Sequence, residues 1–163
     1  MTHIEQLVDG FVAGRVTRRE LIASVTALVA GAGRAAQAQT TAAKGKTLNH
    51  VSLAVSDVEK AAAFYSKVLD LQVVSRPGNG GINLGLGTSF LGVYKLANPG
   101  TVNHCCIGVD DYDPERIAAK LQEQGIRATV DRNPANRTSG GDQLYFVDPD
   151  GLRVQLSANG YQG

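Results

Sequence analysis

Residues 48–55 read "LNHVSLAV" and residues 102–109 read "VNHCCIGV". Each stretch mixes β-branched and apolar residues with small or polar ones in the alternation of a strand. Each also carries an Asn-His pair at its second and third positions. A chain with only three histidines thus puts two, His50 and His104, at matching points of two similar segments 54 residues apart. A histidine met alone on an apolar strand is usually a hydrogen-bonded structural residue. The same histidine in two copies of one motif points instead to two imidazoles that meet.

Outward from these strands the two halves follow one plan. After the first, "DVEKAAAFYSKVL" (57–69) places Val58, Ala62, Tyr65 and Leu69 at helical spacing. After the second, "DPERIAAKLQEQ" (113–124) has Pro114 near a helix start, Ile117 and Leu121 four apart, and Gly125 as a stop. Later strands are "GINLGLG", "SFLGVYKL", "RATV", "LYFV" and "LRVQLS", with "DPDG" (148–151) as a tight turn. The expectation is an α+β chain built from two tandem βαβββ modules, 47–100 and 101–158, within a domain of 47–163.

Alternation assigns the faces. Asn49, Val51, Leu53 and Val55 are expected against the first helix, with His50, Ser52 and Ala54 opposite. Cys105, Ile107 and Val109 cover the second helix, with His104, Cys106 and Gly108 opposite. Arg153, Gln155, Ser157, Phe90, Gly92, Tyr94 and Tyr145 join the histidine face. Small residues around the histidines leave that face unfilled, which predicts a concave cavity. The same alternation sets Asn49 and Asn103 on the far face. "RPGNGGINLGLG" has no lysine in phosphate-loop spacing and reads as a cavity rim. "DRNPANRTSGG" reads as a mobile loop over the cavity, with Arg132 and Arg137 as anion contacts.

The doubled plan, a histidine in each first strand, "AAAFYSKVLDLQV" with Phe64-Tyr65, and the closing "YFVDPDGLRVQLS" resemble the vicinal oxygen chelate superfamily, the glyoxalase, bleomycin-resistance and extradiol-dioxygenase group. The resemblance covers residues 48–158. It implies an open, cup-shaped mixed barrel in which the modules meet around a pseudo-two-fold axis, with His50, His104 and a last-strand residue as ligands of a divalent ion, Fe²⁺ preferred and Mn²⁺ or Zn²⁺ admitted. The family's acid falls at Gln155, so the chain departs from the usual two-histidine, one-carboxylate set. Tyr94 and Tyr145 are the candidate catalytic donors, and Arg153 and Cys106 the candidate substrate contacts, with simple packing the competing reading of each. The function implied is an enzyme that chelates two neighbouring oxygens of a small, aromatic substrate, of the ring-cleaving dioxygenase type. The competing reading is a metal-free protein that sequesters a small molecule. The fold commonly dimerises, so a homodimer is expected.

Composition removes other classes. Lysine and arginine (16) nearly balance aspartate and glutamate (15), which leaves no charged field for nucleic acid or an anionic membrane. Adjacent Cys105 and Cys106 form neither a disulfide framework nor a CxxC pair. Residues 1–38 contain Arg18-Arg19, an apolar run from Leu21 to Gly33 and an Ala36-Gln37-Ala38 ending. The run is too short to span a bilayer, and the order fits a twin-arginine export signal cleaved after Ala38, giving a periplasmic or extracellular protein. The alternative is a retained amphipathic helix through Ile4, Leu7, Val8, Phe11 and Val12, with the protein cytoplasmic. Residues 39–46 read as a linker.

Overall fold

A computed structural model describes residues 3–24 and 41–163. The chain divides into two compact units, Met1–Thr40 and Thr41–Gly163. In the first, α1 spans His3–Val12, and a second helix, α2, is described over residues 18–24. Thr17 starts α2 with a capping box. Its hydroxyl accepts from the Glu20 amide, and the Glu20 carboxylate accepts from the Thr17 amide and hydroxyl. The twin arginines therefore occupy a helical first turn. Most of the apolar run and the Ala36-Gln37-Ala38 ending lie outside the described residues. Among the described residues no helix is long and apolar enough to cross a membrane.

The second unit follows the βαβββ plan twice: β1 (Gly45–Val55), α3 (Val58–Leu69), β2 (Val73–Ser75), β3 (Ile82–Leu86) and β4 (Ser89–Lys95), then β5 (Thr101–Val109), α4 (Pro114–Glu123), β6 (Ala128–Asp131), β7 (Gln143–Val147) and β8 (Arg153–Ala158). β1 begins two residues ahead of Thr47. Asp57 and Asp113 cap the two helices by accepting from the amides of Lys60 and Arg116. Each helix covers its own half of the sheet. Ala62, Leu71, Ile82, Leu84 and Val93 form one core, and Val109, Ile117, Leu121, Leu144 and Leu156 the other. The predicted alternation on β4 and β8 holds.

All eight strands form one open mixed sheet, ordered β2-β3-β4-β1-β5-β8-β7-β6. β1 and β5 run antiparallel at its centre, and each is flanked by the parallel last strand of its own module, β4 or β8. His50 pairs with Cys106 and Ser52 with His104. A shift of 54 converts one pair into the other, so a local two-fold axis runs between the strands. Phe90, His50, Cys106, Gln155 and Tyr145 form one row across five strands.

The register breaks at three places, one between Gly45 and Thr47 and two that are equivalent under the shift of 54. Leu48 pairs with Ile107 and His50 with Cys106, so β1 uses two steps where β5 uses one, and Asn49 is the additional residue. Ser52 pairs with His104 and Leu53 with Val102, which makes Asn103 the additional residue of β5. Such a bulge re-aims its side chain and releases it from strict alternation.

Candidate metal centre

The bulges overturn the expected placement of Asn49 and Asn103. Asn49 is buried, and its Oδ1 lies 2.8 Å from His50 Nδ1. Asn103 Oδ1 lies 2.9 Å from His104 Nδ1. The other contacts of each asparagine fix which atom faces the ring. Asn49 Nδ2 donates to the Tyr161 carbonyl at 2.9 Å, and Asn103 Oδ1 also accepts from Arg153 Nη1 at 3.4 Å. Both asparagines therefore present oxygen, and both imidazoles carry their proton on Nδ1. The Nε2 atoms are left bare, and they face each other at 3.2 Å.

Two nitrogen lone pairs at that distance repel unless a cation lies between them. For a small divalent ion, with nitrogen ligands about 2.0–2.1 Å away, adjacent ligands stand roughly 3 Å apart, so the observed separation fits. Gln155 completes the group from β8, where its side chain lies close enough to both imidazoles to favour their charged forms. It is fully buried, and its Nε2 has no hydrogen-bond partner. Among the described residues no cluster of three His, Cys, Asp or Glu side chains could hold a metal. The donor set is two imidazoles and an amide, without a carboxylate.

Burial, with repulsion from a charged His104 second, lowers the His50 imidazole to about 3. Burial, with the Arg153 guanidinium second, lowers His104 to about 4. Both rings are thus neutral at pH 7 and need lose no proton to bind an ion. The unfolded chain takes up protons on both near pH 6.5, whereas the folded chain does not until far lower pH. Stability is therefore full above pH 6.5 and declines as pH falls from there toward 4 and 3. Metal-free protein should lose up to about 1.4 kcal/mol per pH unit per histidine between pH 6.5 and 5, above the carboxylate range. Denaturant titrations at pH 7.5 and 5 measure the loss, and an equal midpoint at the two pH values would contradict it.

The cavity holds about 140 Å³, and its lining includes His50, Ser52, Phe90, Tyr94, His104, Tyr145, Arg153, Gln155 and Tyr161. Phe90 stacks on His50 with ring centroids 4.2 Å apart, and Tyr145 meets His104 edge-on at 5.4 Å. The Tyr94 hydroxyl donates to Asn83 Oδ1 at 2.7 Å, and that of Tyr145 to Gln143 Oε1 at 2.5 Å. Burial raises both phenols, Tyr94 to about 12, so each keeps its proton. The Arg153 guanidinium lies over the Tyr145 ring, 3.9 Å from its centroid.

Cys106 does not line the cavity. It is fully buried, Sγ lies 3.2 Å from Ser157 Oγ, and burial pushes its thiol up to about 12, which makes it a packing residue and not a substrate contact. Arg132 and Arg137 are also elsewhere. Arg132 pairs with Glu115 and Asp142, and Arg137 with Asp142. The loop that carries them is tied down, since the Asn79 amide donates to the Ala135 carbonyl and Asn79 Nδ2 to Asn136 Oδ1. Tyr161, beyond the expected module end at 158, contributes its carbonyl to Asn49 and its ring to the cavity wall. The repeated Asn-His dipeptide was the available signal for the two asparagines; Tyr161 had none.

Residues 47–156 match the family model of the Glyoxalase/Bleomycin resistance protein/Dioxygenase superfamily. Over 118 residues the chain is 28% identical to glutathione transferase FosA of Serratia marcescens, a match covering 68% of this chain and 79% of that one. It is 39% identical over 130 residues to the mitochondrial methylmalonyl-CoA epimerase of Homo sapiens, covering 67% and 72%. The 2,3-dioxygenase LapB from Pseudomonas sp. KL28 superposes with a TM-score of 0.62 at 21% identity, over 72% of this chain and 42% of the dioxygenase, a likeness of fold. With its two βαβββ modules paired through β1 and β5, the chain belongs to the glyoxalase, bleomycin resistance and dioxygenase superfamily.

Proposed function

We propose that the protein is a metal-dependent enzyme that acts on a small substrate through two neighbouring oxygens, with ring cleavage of the extradiol type as the preferred chemistry and Fe²⁺ as the preferred ion. The observation that carries this reading is the pair of bare Nε2 atoms 3.2 Å apart, each held in place by an asparagine oxygen on its other ring nitrogen. His50, His104 and Gln155 Oε1 would hold the ion, which when bound supplies a Lewis acid for the substrate oxygens. Phe90 and Tyr161 supply apolar wall on the His50 side, and Arg153 on Tyr145 supplies the cation at the other. Tyr94 and Tyr145, kept protonated, can exchange their amide partners for a substrate oxygen and donate to charge that develops there. A cavity of about 140 Å³ admits a small ring or only the reacting end of a larger molecule.

The absence of a carboxylate at Gln155 favours a second reading, a metal-free cup for a small molecule. Calorimetric titration of chelator-treated protein with ferrous, manganous and zinc ions separates the two. One ion bound per chain supports the enzyme, and no uptake of any of the three supports the cup.

A further inference from the structure

Gln155 has two ends with different circumstances. The side chain approaches both imidazoles, yet Nε2 is buried without a hydrogen-bond partner on the wall of the same cavity. An amide N–H left unmade in a buried site is costly, and it is satisfied by an acceptor that the protein does not itself provide. The charges around it, one of each sign, offset each other. Arg153 and Asp131 are the charged residues of the lining, and the Asp131 oxygens are engaged, Oδ1 by the Asn133 amide and Oδ2 by Asn136 Nδ2. The donor set itself, two imidazoles and an amide, brings no carboxylate to a divalent ion at the histidine pair.

We propose that Gln155 selects the charge of the substrate: its carbonyl serves the ion, while its N–H donates to a substrate oxygen, so that the site takes a chelating substrate in doubly anionic form. A glutamate here would place a negative charge where that substrate oxygen sits and would remove the donor. This inference rests on the metal-dependent reading above.

The test uses two chelators of different charge, oxalate as the dianion and tropolonate as the monoanion, titrated into zinc-loaded protein by calorimetry. The native protein should favour oxalate, and Gln155→Glu should reduce the oxalate-to-tropolonate affinity ratio by about tenfold or more, since like charge is added and a donor lost. Gln155→Met removes the donor without adding charge and should reduce the ratio severalfold, which keeps the test open if the glutamate variant does not fold. An unchanged ratio in a folded variant overturns the role of Gln155 and leaves the metal reading standing. If native protein takes up no ion, both fall.

Discussion

Replacing His50 or His104 with alanine should weaken divalent-ion binding by more than a hundredfold, beyond the roughly 10–100-fold effect of losing a residue that only orients a ligand. Each imidazole supplies one of the two converging nitrogens, and Gln155 offers only a neutral oxygen to replace it. The loss is measurable without activity. An ion at a hundred times its Kd stabilises the folded state by about 2.7 kcal/mol, which raises the Tm of a domain of this size by on the order of 10 °C. That shift should vanish in both variants. His104→Gln, which keeps a side chain able to hydrogen-bond in the buried pair, serves as the folding control. Its metal-free form should melt no lower than the native protein, because one of two opposed lone pairs has been removed. If either alanine variant keeps the ion-induced shift, the two histidines are not the ligands.

The second large effect is expected at the same centre with opposite sign. Gln155→Glu supplies the missing negative charge at nearly constant volume, and affinity for divalent ions should rise by at least about tenfold, with charge attraction the source. The metal-free variant should be less stable than the native protein, because position 155 is fully buried and a carboxylate there loses its hydration. Adding ion should reverse the order. A folded glutamate variant that takes up no metal would rule out an ion at this site and leave the small-molecule cup.

The two-module plan was legible because hydrophobic alternation, the helical spacing of Ile117 and Leu121, and the Asp148–Gly151 turn are local properties, and the fold kept them outside the bulges of β1 and β5. The histidine pair was legible through its repetition. What alternation could not show was its own interruption. A bulge is a relation between two strands, so reading β1 or β5 singly put Asn49 and Asn103 on the far face. Cys106 failed for a related reason. Its parity was right, but Ser157 on the neighbouring strand closes over the thiol. Tyr161 contributes through its backbone carbonyl, which no side-chain pattern announces.

Gly92 bears on any attempt to re-engineer the protein. It pairs with Ser52 as Gln155 pairs with Cys106, and since Ser52 and Cys106 are equivalent under the shift of 54, Gly92 is the first module's counterpart of Gln155. A Cβ built there would come 2.6 Å from the Tyr94 ring, 3.0 Å from Asn83 Oδ1 and 3.1 Å from Ser52 Oγ. A fourth ligand therefore cannot be installed by changing this residue alone, because the vacancy that its symmetry mate occupies has already been given to an aromatic neighbour. The duplicated halves have become unequal vessels. A designer seeking a symmetric, fully ligated centre would have to shrink Tyr94 together with any change at position 92, and would give up one of the two phenols in doing so.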